Sequence, residues 1–386
     1  MKAISYPKLG IICTSILLGI LVAGLWPFNF FPENKVSWLP DRNGLQFNGQ
    51  GIIESSTPWL KDKKPLFPDD SISLVLWLRP LMEPKNLPHI VTLYDGQSLE
   101  LFMIGQWRSH LVIRSRVDGP ATGKRGKSYQ EMGLDNALLK NQEVFISITS
   151  GPEGSTLYLN GQRMQSYPHH RLLAGAGSAG NVRFVLGNAA TGQSGWTGSF
   201  LGMAIYDRVL AADQVSRNYR SLSLNDPLLM KQGADPIGLY HFNEKRGAII
   251  HNRVAADDTL IISEMFRPVQ RRVLDPPWRD FRWNSSFALD VAVNIAGFVP
   301  LGLFFAAFAR RISRIRSRRL YALIAMLGFG LSLAIELLQV YLPTRYSQLS
   351  DVFCNVTGTI LGLIMFCMYE RLDQSPVGRM ELRKKP

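Results

Sequence analysis

Three apolar segments in the last third of the chain, at residues 287–308, 320–341 and 352–369, constrain its fold more than any other feature. Each is close to the roughly 20 residues that a helix needs to cross a bilayer. Their few polar residues sit near the ends. Asp290 and Asn294 open the first segment, Glu336 and Gln339 close the second, and Asp351 and Asn355 open the third. Carboxylates and carboxamides are costly in hydrocarbon, so several at one depth point to a functional site. The competing reading is that they hydrogen-bond one helix to the next.

The first and third segments repeat each other. Asp290-Val291-x-x-Asn294-Ile295-x-Gly297 matches Asp351-Val352-x-x-Asn355-Val356-x-Gly358, with Ile295 in the place of Val356. Spacings of three and four put Asp290, Asn294 and Gly297 on one helical stripe, and Asp351, Asn355, Gly358 and Gly362 on another. The glycines are expected to let neighbouring backbones approach closely. The second segment carries Gly328, Ser332, Glu336 and Gln339 in the same manner. Six arginines lie in residues 310–319, and the tail adds Arg371, Arg379, Arg383, Lys384 and Lys385, whereas residues 342–350 hold only Arg345. Positive charge in short connections marks the cytoplasmic side. The expected topology runs the three segments in, out and in, with the polar residues near the outer face.

The motifs occur in a fixed order: D-x-x-x-N-x-x-G-F-x-P-L-G from Asp290 to Gly302, S-x-x-I-E-x-x-Q from Ser332 to Gln339, P-x-R at Pro343 to Arg345, and D-x-x-x-N-x-x-G-x-x-x-G from Asp351 to Gly362. In that order they resemble the VanZ family. The resemblance implies a bacterial multi-helix membrane protein, of a family associated with low-level resistance to the glycopeptide teicoplanin. It also implies a membrane segment near the N-terminus, separated here from the others by a very large insertion.

That N-terminal segment is present. Lys2 and Lys8 are followed by an apolar run at 9–26, which reads as an uncleaved signal anchor. Trp26, Phe28, Phe30 and Phe31, spaced by Pro27 and Pro32, read as an interfacial aromatic belt. With the N-terminus inside, residues of about 32–283 are expected outside the cytoplasmic membrane, and the C-terminus inside. The formal net charge is +13, but eleven basic residues fall in 310–319 and the tail, where topology accounts for them. A lipid-contacting basic rim is expected rather than a nucleic-acid surface.

The exterior segment has alternating apolar runs at 71–78, 99–103, 111–115, 144–149, 156–159, 182–186 and 200–206. This pattern predicts an all-β sandwich. Asn160-Gly161 predicts a tight hairpin, since both residues accept positive φ, and 211–221 predicts a short helix. The stretch Gly44-Leu-Gln-Phe-Asn-Gly49, the W-L-R-P ending at Pro80, L-Y-L-N-G-Q at 157–162, L-G-N at 186–188 and Trp196-x-Gly198 leading into A-I-Y-D-R-V-L at 204–210 resemble the laminin G-like, concanavalin A-like fold. G-L-Y-H-F-N-E at 238–244, with Gly247 and Asn252, resembles that fold's opening strand but follows the helix. It is expected to pair back into the sandwich, giving a permuted strand order. The expected architecture is a concanavalin A-like jelly roll inserted into a four-helix transmembrane bundle. Its parts are an anchor at 1–31, the sandwich at 32–265, a linker at 266–286, VanZ-like helices at 287–369 and a basic tail at 370–386. Within the linker, Trp278, Phe281 and Trp283 are expected to mark re-entry into the interface.

The sandwich resemblance implies carbohydrate binding, in some relatives with calcium. Trp107, Trp196, Asn188 and the His169-His170 pair are candidate loop-tip contacts, because flat rings stack on pyranose faces and carboxamides read hydroxyls. Core packing is the alternative for the tryptophans. Asp69 and Asp70 read as a turn, and with no dense acidic loop calcium stays open; no other cofactor or metal site is expected. In the membrane layer, Asp290, Glu336 and Asp351 are candidate acid–base or metal-coordinating groups. Asn294, Gln339, Arg345 and Asn355 are candidate ligand contacts there, with Arg345 as a clamp for a phosphate or carboxylate. No CxxC, HExxH, GxSxG or Walker pattern occurs. Cys13, Cys354 and Cys367 all lie in membrane segments, so the exterior domain is expected to be stabilised by core burial. The leading expectation is a non-catalytic membrane protein whose exterior domain binds a cell-envelope or secreted glycan, with membrane lipids and a glycan or lipid-linked glycan precursor as partners. The alternatives are a membrane enzyme acting on a lipid-linked glycan and, last, a transport path.

Overall fold

Leu74, Leu76 and Leu78 point one way from the strand Ile72–Pro80, while Ser73, Val75 and Trp77 point the other. The leucines enter the main core, and Val75 and Trp77 enter a second apolar cluster on the opposite face. A strand buried on both faces has to be central, and this one is. The computed structural model describes residues 5–56, 67–96, 100–116, 129–173, 182–223, 235–276, 285–312, 317–343 and 345–374. Within them the chain divides into two compact units, Pro32–Gln270 and a discontinuous one of Met1–Phe31 with Arg271–Pro386.

Pro32–Gln270 is a two-sheet sandwich. One sheet runs, in spatial order, β1 (Val36–Trp38), β2 (Leu45–Asn48), β13 (Thr197–Tyr206), β4 (Ile72–Pro80), β9 (Val144–Gly151), β10 (Gly154–Leu159) and β11 (Gln162–Tyr167), with β14 (Gly238–Tyr240) also on β13. The other runs β15 (Ile249–Ile250), β16 (Leu260–Ile261), β3 (Ile53–Ser55), β12 (Arg183–Leu186), β5 (His89–Tyr94), β6 (Phe102–Trp107), β7 (His110–Arg116) and β8 (Tyr129–Leu134). The inner faces share one core that includes Phe47, Phe102, Phe184, Trp196 and Phe200. The helix α2 (Ala212–Ser223) covers the outer face of the first sheet, with Val215 buried against Val75, Phe145 and Tyr206.

The late strand pairs back as expected. β14 lies antiparallel to β13, with Met203 opposite Tyr240 and Ile205 opposite Gly238. It occupies the side of β13 that β2 leaves free beyond Phe200. The Asn160-Gly161 turn has φ values of 50° and 78°, and it carries β11 with it. β11 is largely exposed and lacks apolar alternation, so its sequence gave no strand signal; the turn and the β10 ladder impose it. The expected strand at 99–103 starts instead at Phe102. The expected linker also begins later. Phe266 is buried with Ile52 and Val185, and its N–H donates to the Pro32 carbonyl, so the sandwich continues to Gln270. Trp278, Phe281, Trp283 and the tail beyond 374 lie outside the described residues.

His89 on β5 makes the sandwich sensitive to acid. Its side chain is 12% exposed, and Nδ1 lies 3.1 Å from Thr92 Oγ1. Burial, reinforced by the Arg114 guanidinium, lowers its pKa to about 4 from an ordinary value of 6.5. Glu100, 3.9 Å away, does not offset this. The unfolded chain binds this proton below about pH 6.5, whereas the folded chain resists it until about pH 4. Stability from this site is therefore complete above pH 6.5 and falls as the pH drops through that window, by up to about 3 kcal/mol. Denaturant titrations of the protein and of His89→Gln between pH 7 and 4 check this: the variant should lose most of the pH slope.

The second unit contains α1 (Tyr6–Leu25), α3 (Ser285–Ile312), α4 (Ser317–Gln339) and α5 (Leu349–Gln374). Their candidate membrane spans are 20, 26, 22 and 24 residues long. Leu289, Val293, Met326, Phe329, Phe353, Met365 and Met368 face outward, as lipid contact requires and water would not favour. α3 and α5 run parallel and pack through glycine. A Cβ on Gly358 would overlap the Ile295 carbonyl, one on Gly362 the Val299 carbonyl, and one on Gly302 the Thr359 carbonyl. Gly297 does not share this role, because a Cβ there meets nothing within 4 Å. Gly302 takes the place expected of it.

Candidate functional site

Two places bring chemistry-bearing residues together, one in each unit. In the helical unit, the end formed by the C-termini of α1 and α4 and the N-termini of α3 and α5 gathers the polar residues. Glu336 is 2% exposed, and its Oε2 accepts the Gln348 N–H at 2.8 Å, just before α5 begins. Asp351 sits in the first turn of α5. Carboxylates are favoured there because the helix N-terminus carries partial positive charge and free N–H groups. Asn294 of α3 hydrogen-bonds the Asp351 carboxylate, and Asp290 and Glu336 both lie within its electrostatic reach. Asp290 itself is exposed. The two repeated stripes thus meet at matching height.

Arg345 and Gln339 do something the sequence does not disclose. Gln339 Nε2 donates to the Gly24 carbonyl at 2.8 Å. Arg345 donates from Nη2 to the Ala23 carbonyl at 3.1 Å and from Nε to the Trp26 carbonyl at 3.2 Å. These carbonyls end α1 and lack helical partners of their own, so a cation and a carboxamide are apt caps. Arg345 is thereby engaged with α1 backbone rather than standing free as a clamp. One turn deeper, Asn355 Nδ2 donates to Ser332 Oγ at 2.9 Å, and Thr359 Oγ1 donates to the Asn355 carbonyl at 3.0 Å. A polar seam therefore continues between α4 and α5 below the carboxylates. At the far end of the bundle, Arg310 and Tyr321 both reach Glu370, at 3.2 and 3.1 Å.

In the sandwich, the site is the tip of the β6–β7 hairpin. Trp107 is 43% exposed and stacks on His110 with ring centroids 5.3 Å apart, while the Arg108 guanidinium lies 5.1 Å from the Trp107 ring. His110 Nδ1 lies 2.9 Å from Asp135 Oδ1. Of the candidates Trp107, Trp196 and Asn188, Trp107 is the one at a tip. Trp196 is fully buried, packed on Phe47 and Phe200, and belongs to the core. Asn188 is fully buried too; its Oδ1 accepts the Ala189 and Ser194 N–H groups and its Nδ2 donates to the Gly51 carbonyl, which folds the loop before β13. A fully buried carboxamide whose oxygen and nitrogen both bond inside the protein is out of reach of a ligand at the loop tips. His169 is exposed and His170 packs edge-on to Tyr167, away from the hairpin's own partners.

Trp196 nevertheless acts on the tip from below. Its Nε1 donates to Gln106 Oε1 at 2.7 Å, and Gln106 Nε2 donates to the Met82 and Arg108 carbonyls at 2.8 and 2.7 Å. Arg108 N–H also donates to the Pro84 carbonyl. Gln106 therefore ties the core to both loops beside Trp107. Its position next to a tryptophan in a strand gave no signal of this. Among the described residues, no cluster of three His, Cys, Asp or Glu side chains is arranged to hold a metal ion.

With this geometry in place, comparison with known proteins is direct. The VanZ/LLP1 family model matches residues 248–370, and the model of the concanavalin A-like lectin/glucanases superfamily matches residues 55–216. No match is found among curated proteins. The solved structures similar to this chain include a sialidase of Trypanosoma rangeli in complex with sialic acid, at 14% identity over 50% of this chain and 30% of that one, with a TM-score of 0.38. They include the receptor binding domain of botulinum neurotoxin mosaic serotype C/D, at 14% identity over 49% of this chain and 45% of that one, with a TM-score of 0.37. A third is the CBM40 of the Ruminococcus gnavus IT-sialidase bound to α2,3-sialyllactose, at 13% identity over 45% of this chain and 95% of that one, with a TM-score of 0.33. The chain thus spans under half the length of the first two. It joins a VanZ-like domain, which contributes apolar helices of membrane-spanning length, to a concanavalin A-like β-sandwich.

Proposed function

We propose that this is a membrane-anchored glycan-binding protein, with the Trp107–His110 hairpin as part of its carbohydrate contact. The observation that carries the reading is a large ring held out of the core in a fixed pose. Trp107 is exposed, yet the buried Trp196–Gln106 pair anchors the loops around it. An exposed, preorganised aromatic face loses little entropy when a sugar ring stacks on it. The arginine bias of residues 310–319 favours an orientation with the sandwich outside the cytoplasmic membrane. In that orientation the ligand is a cell-envelope or secreted glycan, and a role in exopolysaccharide biology or in teicoplanin-type resistance would follow from which glycan it is. The alternative, an enzyme acting on a lipid-linked glycan through Asp290, Glu336 and Asp351, has less support because Arg345, its expected clamp, is bonded to α1 carbonyls.

A glycan array probed with full-length protein in detergent tests this. Binding is expected for the protein, and Trp107→Ala should weaken it about tenfold, the worth of roughly 1.4 kcal/mol of stacking. The exposed ring contributes little to the fold, so the variant's unfolding midpoint should stay near that of the parent. Absence of any glycan ligand, or equal affinity in Trp107→Ala, would sink the assignment.

A further inference from the structure

The polar seam between α4 and α5 contains a defect that its own residues do not repair. Asn355 is 6% exposed, and its Oδ1 is buried with no hydrogen-bond partner. An unpaired buried acceptor is costly in a soluble protein and rarer still at membrane depth. Asp351 lies one turn before Asn355 on α5, and Glu336 lies one turn beyond Ser332, the residue on α4 that Asn355 contacts at 2.9 Å. Glu336 and Asp351 lie within electrostatic reach of each other, which stacks the carboxylate rung directly on the Ser332–Asn355 rung.

Arg345 lies within electrostatic reach of Glu336, but the guanidinium groups of the nearby arginines are engaged elsewhere. Asp290, Glu336 and Asp351 contribute three carboxylates to the layer. Arg345 donates to α1 carbonyls, Arg272 pairs with Asp275 at 3.3 Å, and the Arg271 guanidinium lies over the Tyr341 ring at 4.6 Å. One Glu336 oxygen is engaged by the Gln348 N–H.

We propose that the α4–α5 seam binds one small hard cation, sodium or calcium, through the Glu336 and Asp351 carboxylates and Asn355 Oδ1. Carboxylate and carboxamide oxygens suit such ions, and the ion would satisfy the orphaned acceptor while offsetting buried negative charge. Two of these ligands are carboxylates and the third is a carboxamide, so the set differs from a cluster of three His, Cys, Asp or Glu side chains, of which the described residues hold none. The site belongs to the helical unit and does not depend on glycan binding by the sandwich.

The test is equilibrium binding of radioactive sodium or calcium to the full-length protein in detergent, with N-methylglucamine as the background cation. Saturable uptake of about one ion per chain is expected for one of the two, which also identifies the ion. Asn355→Leu, close in size but without the acceptor, should weaken uptake by about tenfold or more, whereas Asn355→Asp should keep it. Glu336→Gln retains an acceptor for the Gln348 N–H but loses the charge, and it should show the same loss as Asn355→Leu. Uptake of neither ion above background overturns the proposal, as does uptake by Asn355→Leu and Glu336→Gln equal to that of the parent. Should a variant fail to fold, the stoichiometry of the parent protein decides alone.

Discussion

Gly358→Leu should uncouple α3 from α5 and remove the folded helical unit from detergent extracts. The Cα of Gly358 is so close to α3 that even a methyl group would overlap the Ile295 carbonyl, and a backbone atom cannot rotate away. Helices in lipid gain little from apolar burial against each other, so close backbone packing supplies much of their association. A branched four-carbon side chain at this point should cost roughly 3 kcal/mol or more. Gly362→Leu should do the same, through the Val299 carbonyl and the backbone of Gly302 and Leu303. Gly297→Ala is the matched control. Open space surrounds that position, and alanine is the better helix former, so a change within about 0.5 kcal/mol is expected. Monodisperse yield and thermal midpoint of the three variants provide the readout. Tolerance of leucine at 358 would show that the α3–α5 contact is not what holds the bundle.

Trp196→Ala should be the most damaging single change in the sandwich. The ring is fully buried between Phe47 and Phe200, and truncating such a residue typically costs 3–5 kcal/mol, here about 4 kcal/mol. Trp196→Phe separates packing from hydrogen bonding. It keeps an aromatic ring in the core but removes the donor to Gln106 Oε1, leaving a buried acceptor unpaired at a cost of roughly 1–3 kcal/mol. If Gln106 positions the hairpin, Trp196→Phe should also reduce glycan affinity, whereas an equally destabilising core change such as Leu93→Ala on β5 should not. Paired unfolding and binding measurements separate these outcomes. Unchanged affinity in Trp196→Phe would reduce the Trp196–Gln106 bond to a purely structural role.

The helices of membrane-spanning length, the repeat shared by α3 and α5, the sandwich class and the return of β14 were all legible in the amino-acid sequence. The chemistry behind each is local. A bilayer demands about 20 apolar residues in a row, a half-buried strand demands alternation, and a hairpin demands residues that accept positive φ. Such demands are met one residue at a time, and composition records them. Partners are another matter. Trp107 and Trp196 are the same residue type, each flanked in the sequence by glycine and polar residues, yet one is a tip and the other a core anchor, because only Trp196 packs on Phe47 and Phe200 and bonds Gln106. Gly297 and Gly302 stand five residues apart on one helix, and the rotation and crossing of α5 decide which of them is touched. Arg345 reads as an anion clamp until the end of α1, more than 300 residues earlier in the chain, arrives with unbonded carbonyls. Periodicity follows from transfer energies and sterics acting along a single segment. The bond that a polar atom makes depends on which distant atom the folded chain brings to it, and only the tertiary structure decides that.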